Sequence, residues 1–138
     1  MGKRTIFITE DDRQRIGELI AVAGETNPRD QDRLKDLAGE LDRARVVPRQ
    51  DLPPTVVTMH SKVRVRDADT REIATYTLVY PEEANADENR ISVVSPIGTA
   101  LLGYTEGATI VWPVPGGKRR LVIEKVLYQP EAAGHAPA

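Results

Sequence analysis

Two different periodicities divide the chain. Over the first 50 residues, apolar positions recur at helical spacing in two separate stripes: Ile16, Leu19, Ile20 and Ala23, then Leu34, Leu37, Ala38, Leu41 and Ala44. Thr9, followed by Glu10, Asp11 and Asp12, marks the first helix start, because a hydroxyl caps free N–H groups and carboxylates complement the helix dipole there. Gly24 is expected to end that helix, and Asn27 with Pro28 to open the next. Asp11 and Arg15, four apart, add a surface ion pair. Two narrow stripes joined by a short loop predict antiparallel helices of about 14 and 17 residues, zipped as a short coiled coil. Such a hairpin buries little: it is either a small helical subdomain or an arm that reaches into something.

From Val56 onward the pattern alternates as strands do. SKVRVRD places Val63 and Val65 on one face and Lys62, Arg64 and Arg66 on the other. ADT is a turn and REIATYTLVY a returning strand; PEEANADEN is a polar excursion before a third strand, RISVV. ATIVWPV, a PGG turn at 115–117 and KRRLVIEKVLY complete the strands, and QPEAAGHAPA lacks core formers. An antiparallel sheet with one short helix packed across a face puts the chain in the α+β class. The division expected is a helical hairpin over 1–47, a stiff linker over 48–55 held by Pro48, Pro53 and Pro54, a sheet domain over 56–130 and a tail over 131–138.

The short helix is SPIGTALLG. Ser95 can cap it, Pro96 fits its first position, and Gly103 can adopt the positive φ that stops it. Ile97, Leu101 and Leu102 form its apolar side, while Gly98 and Ala100 allow a neighbouring backbone to come close.

Composition narrows the chemistry. The 138 residues contain no cysteine, which excludes disulfides and thiolate chemistry. No apolar run approaches the roughly 20 residues that span a bilayer, and MGKRTIFITEDD is too short in its apolar part for a secretory signal. A cytoplasmic protein without membrane contact is expected. The net charge of −2 argues against a general nucleic-acid binder. His60 and His135 are the only histidines and lie far apart, so no catalytic triad, metal site or cofactor site is expected. PVPGGKRR lacks the phosphate-loop pattern; its Lys118, Arg119 and Arg120 are either a solvated strand end or a contact for an anionic surface. Glu25, Asp30 and Asp32 lie at the turn between the helices. Paired carboxylates can hold Mg²⁺, but Arg29 and Arg33 are interleaved with them, as in a solvated turn.

SPIGTALLGYTEG, followed by a strand, PGG and another strand, resembles the C-terminal domain of the bacterial GreA/GreB transcript-cleavage factors. VVTMHSKVRVRD, TLVYP and VLYQPEAAG narrow the resemblance to the short-armed, Rnk-type members of that superfamily, which are linked to regulation of nucleoside diphosphate kinase. His60 stands where such relatives would carry an asparagine. The resemblance implies an FKBP-like sheet domain and, as partner, RNA polymerase at the rim of its secondary channel. It places Ser95 and Pro96, at the start of the short helix, near the polymerase contact, and Glu25, Asp30 and Asp32 at the arm tip.

In cleavage factors of this family, tip carboxylates help hold a second Mg²⁺ in the polymerase, which itself supplies the chemistry. The helices expected here extend only about 21–26 Å at 1.5 Å per residue, shorter than a cleavage factor's coil. The expectation is therefore a monomeric, non-enzymatic regulator that docks without stimulating cleavage. A cleavage cofactor and a direct regulator of the kinase stand as alternatives. A prolyl isomerase of FKBP-like fold is disfavoured. Phe7, Tyr76, Tyr80, Tyr104, Trp112 and Tyr128 are the only aromatics; Tyr76 and Tyr80, expected on one face of a strand, do not enclose a proline ring.

Overall fold

The computed structural model describes residues 7–26, 31–114, 116–130 and 132. Two helices lead the chain, α1 (Glu10–Thr26) and α2 (Gln31–Asp42), and they pack against each other. The Asp12 N–H points at Thr9 Oγ1 at 3.4 Å, and Ile16, Ile20, Leu34, Leu37 and Leu41 are buried. The helix lengths differ from expectation. α1 runs through Gly24 to Thr26, because a glycine inside a helix costs only about 1 kcal/mol and does not end it alone. α2 is shorter than its stripe suggested: after Asp42 the chain leaves the helix, and β2 (Arg45–Val46) pairs in parallel with β1 (Phe7–Ile8). Asn27 and Pro28, the expected second start, lie outside the described residues.

The proline-rich connector is tied down at both its turns and its end. Arg49–Asp51 form a 3₁₀ turn and Leu52 is buried. Beyond it, the buried Gln129 donates through Nε2 to the carbonyls of Pro53 (2.8 Å) and Val56 (2.7 Å).

Five strands form the main sheet: β3 (Lys62–Asp67), β4 (Ile73–Val79), β5 (Arg90–Ser92), β6 (Thr109–Val114) and β7 (Gly117–Tyr128), in the order β5-β4-β3-β7-β6. The pairs β3–β4, β3–β7 and β6–β7 are antiparallel, as the alternation predicts. The pair β4–β5 is parallel, which corrects the expectation of a wholly antiparallel sheet. The excursion after β4 is taken up by two 3₁₀ turns, Pro81–Glu83 and Ala86–Glu88, and Asn89 adopts a left-handed conformation (φ 55°). The chain thereby re-enters the sheet in the same direction as β4. On β7 the register with β3 slips at two places, leaving Glu124 and Leu127 as extra residues.

One face of this sheet carries the core. Val63 and Val65 of β3, Leu78 of β4, Ile110 of β6 and Leu121, Ile123 and Val126 of β7 join the buried residues of α1 and α2 in a single cluster. The short helix α3 (Pro96–Leu101) adds Leu101 and Leu102 to it and touches α2, β5 and β6. Its expected punctuation is present: Ser95 caps, Pro96 opens, and Gly103 follows with φ 82°. Gly98 is required by space, since a Cβ there would lie 1.9 Å from the Ser92 carbonyl oxygen. Between β3 and β4, the Asp67 carboxylate accepts from the N–H groups of Asp69 (2.8 Å) and Thr70 (3.0 Å) and from Arg119 Nη2 (2.9 Å). Those two backbone bonds, and then Arg119, hold its pKa at about 2 against an ordinary 3.8.

Two outcomes follow from these contacts. Gly98→Ala must push Ser92 aside, and its expected cost is roughly 1–3 kcal/mol or more, read by urea denaturation. Asp67 favours its ionised form in the fold, so its stabilisation is present above pH 3.8 and is lost as pH falls toward about 2. In Asp67→Asn that part of the acid sensitivity disappears, which urea melts across this window measure.

Candidate functional site

The residues singled out from the sequence fall into two groups on different elements. Ser95 is the N-cap and Pro96 the first residue of α3, a helix that touches α2, β5 and β6. The Ser95 hydroxyl is already used on both sides: it donates to the Ser92 carbonyl (2.7 Å) and accepts from the Gly98 N–H (3.1 Å). Capping accounts for this side chain fully, and a partner at this edge would meet the turn rather than a free hydroxyl. Glu25 lies one residue before the end of α1 and Asp32 second in α2, so the antiparallel hairpin brings both to one end; Asp30 lies outside the described residues. Among the described residues no group of three or more acidic or histidine side chains is placed to hold a metal ion.

At the opposite end of the arm is a cluster that the sequence did not reveal. Tyr80 follows β4 rather than belonging to it, and it is 1% exposed. Its hydroxyl donates to Asp12 Oδ1 of α1 at 2.8 Å, in a bond spanning 68 positions of sequence. The Arg15 guanidinium, one turn further along α1, stands over the Tyr80 ring at 3.9 Å and reaches Glu82 at 3.8 Å. The His60 ring meets Tyr80 edge-on at 5.8 Å, and its Nε2 lies 2.8 Å from Glu83 Oε1. That bond is the main reason the Glu83 carboxyl is more acidic than usual. Burial, and then the negative charge of Asp12, push the Tyr80 hydroxyl well above its ordinary pKa, so it remains a neutral donor.

His60 itself sits at φ 65°, a left-handed conformation that asparagine adopts with less strain than histidine. The sequence offered weak signals for this cluster. Asp12 was accounted for by the helix dipole alone, and Tyr80 was placed on a strand face beside Tyr76. In the structure Tyr76 pairs with Val63 and packs against the core cluster that contains Tyr80, and Tyr80, just past the end of the strand, also reaches Asp12 of the arm. Asp12 and Glu25 are separated by 13 positions on α1, about 20 Å along the axis. The arm is therefore bonded to the sheet unit near the start of α1, with Glu25 and Asp32 at its other end.

A family model described as transcription elongation factor, GreA/GreB, C-terminal, matches residues 52–128, and one described as Rnk N-terminus matches residues 4–47. The regulator of nucleoside diphosphate kinase of Escherichia coli K12 is 38% identical over 135 residues, covering 97% of each chain. Transcription elongation factor GreA of Halorhodospira halophila is 35% identical over 98 residues, 70% of this chain and 62% of that protein. Among solved structures, a prokaryotic transcription elongation factor GreA/GreB from Nitrosomonas europaea superposes with a TM-score of 0.75 at 41% identity, covering 91% of this chain and 100% of the other.

The Tyr80–Asp12 bond predicts an asymmetry between two conservative variants. Tyr80→Phe leaves the Asp12 carboxylate without this donor and is expected to cost roughly 1–3 kcal/mol in urea denaturation. Asp12→Asn keeps an acceptor oxygen for the hydroxyl and is expected to cost less. Equal losses would contradict the assignment of the bond.

Proposed function

The chain belongs to the GreA/GreB family and carries an Rnk-type N-terminus, and from that premise we propose that it is a transcription regulator that docks on RNA polymerase at the rim of the secondary channel without stimulating transcript cleavage. The relatives are named as regulators or elongation factors rather than enzymes, which supports a non-enzymatic role. In this proposal the chain divides as its sequence pattern suggests. Residues 1–47 form a two-helix coiled-coil arm, 48–55 a linker, 56–130 an FKBP-like docking domain and 131–138 a tail. The turn at Ser95–Pro96 contributes to the docking edge, and Glu25, Asp30 and Asp32 are assigned to the tip by their sequence positions. The protein acts as a cytoplasmic monomer and makes no sequence-specific contact with nucleic acid. Its effect on nucleoside diphosphate kinase is through gene expression.

The observation that carries the absence of cleavage is the length of the arm. α1 has 17 residues and α2 only 12, which correspond to about 26 and 18 Å. The base of α1 is bound to the sheet unit through Asp12 and Tyr80, which opposes any gain of reach by sliding away from its domain. Carboxylates at that tip would stop short of a catalytic centre served by a longer coil, and a second Mg²⁺ would go unheld.

Added to backtracked transcription complexes, the protein is expected to leave the RNA uncut while slowing cleavage by a Gre factor in proportion to its concentration. Asp30→Ala and Asp32→Ala should leave that inhibition intact. RNA shortening by the unaltered protein, lost in these two variants, would establish the cleavage cofactor instead.

A further inference from the structure

The core lies on one side of the five-stranded sheet, and the other side faces solvent. Lys62, Arg64 and Arg66 stand along β3 on that open side. Register places Thr77, Thr75 and Ile73 beside them on β4, and Tyr128, Lys125 and Val122 beside them on β7. The two register slips on β7 increase the density of outward side chains: Glu124 joins Lys125 there, and exposed Leu127 lies next to Tyr128.

The charges on this face do not balance. Arg64 and Arg66 share one carboxylate, Glu124, at 3.2 and 3.0 Å. Lys62 and Lys125 have no ion-pair partner among the described residues. At these β3 and β7 positions four cations thus meet one carboxylate, in a chain whose net charge is −2; Arg90, beside Thr77, is paired with Glu83 and Glu88. Apolar side chains flank them: Ile73 is 59% exposed and Leu127 42%. Cations with interspersed aliphatic groups are the complement of a surface that alternates carboxylates and apolar residues.

We propose that this open sheet face docks an acidic, partly apolar segment of a partner protein. Nucleic acid fits less well, because single strands bind by stacking bases on aromatic platforms and Tyr128 is the one aromatic residue among those that the register places on this face. A second copy related by a two-fold axis would set these cations against themselves. The proposal does not rest on docking to polymerase. The face is turned away from the core that α1, α2 and α3 cover, so it stays free when the arm side is engaged.

The test uses the full chain and three fluorescent probes: a peptide alternating Glu and Leu, a peptide alternating Glu and Gly, and oligouridylate. Anisotropy should show the Glu–Leu peptide binding more tightly than the Glu–Gly peptide, with affinity falling as salt rises. Backbone amide shifts on titration should concentrate in 62–66 and 122–128. The double variant Lys62→Glu, Lys125→Glu touches no ion pair described above and should weaken this binding at least about tenfold, whereas Lys62→Arg with Lys125→Arg retains it. No peptide binding, or binding unchanged in the double Glu variant, would overturn the proposal. So would tighter binding of oligouridylate at the same residues, or concentration-dependent dimerisation lost in that variant.

Discussion

A buried hydrogen bond, Tyr80 hydroxyl to Asp12 carboxylate, joins the arm to the sheet unit at the base of α1, and the packing of the two halves closes around it. An arm of two narrow apolar stripes has little surface to bury and would be poorly held as an independent unit. Here its inner residues instead join those of the sheet and of α3 in one continuous core. Burying Asp12 costs free energy unless its charge is hydrogen-bonded, and Tyr80 supplies that bond from a position already fixed by the sheet. Arg15 over the ring and His60 at its edge close around the same residue. The direction of the arm is thus set by packing and polar satisfaction together.

Much of this fold was legible from the sequence, and the reasons are physical. Helical stripes and strand alternation are direct records of which face is buried, and both recur where expected in α1, α2, β3 and β7. α3 was the clearest short element, because cap, first-position proline, close-contact glycine and stop glycine all point to one conformation. Other features left no such record. β1 and β2 are two residues each, too short to show any period. The parallel entry of β5 depends on successive tight turns, not on the pattern of the strand itself. The helix ends were set by competition: Gly24 was tolerated inside α1, and Arg45–Val46 were drawn into strand pairing.

The candidate sites were less legible than the fold. Ser95 was visible as a cap, and the structure commits its hydroxyl to that task. The Asp12–Tyr80 pair spans 68 positions, and no local spacing rule relates residues so distant. The acidic residues of the arm tip are sequence neighbours across a turn, so the hairpin alone brings Glu25 and Asp32 to one end. Family membership then gives this geometry its meaning. In the proposed function, an arm anchored at its base and limited in length would occupy a channel without reaching the end of it.

The proposed docking on RNA polymerase is decided by equilibrium binding to purified core enzyme. Labelled protein should bind at one site per polymerase and be displaced by titrating a Gre factor to the same endpoint as unlabelled protein. Failure to bind at high concentration, or binding that a saturating Gre factor does not disturb, would contradict the account.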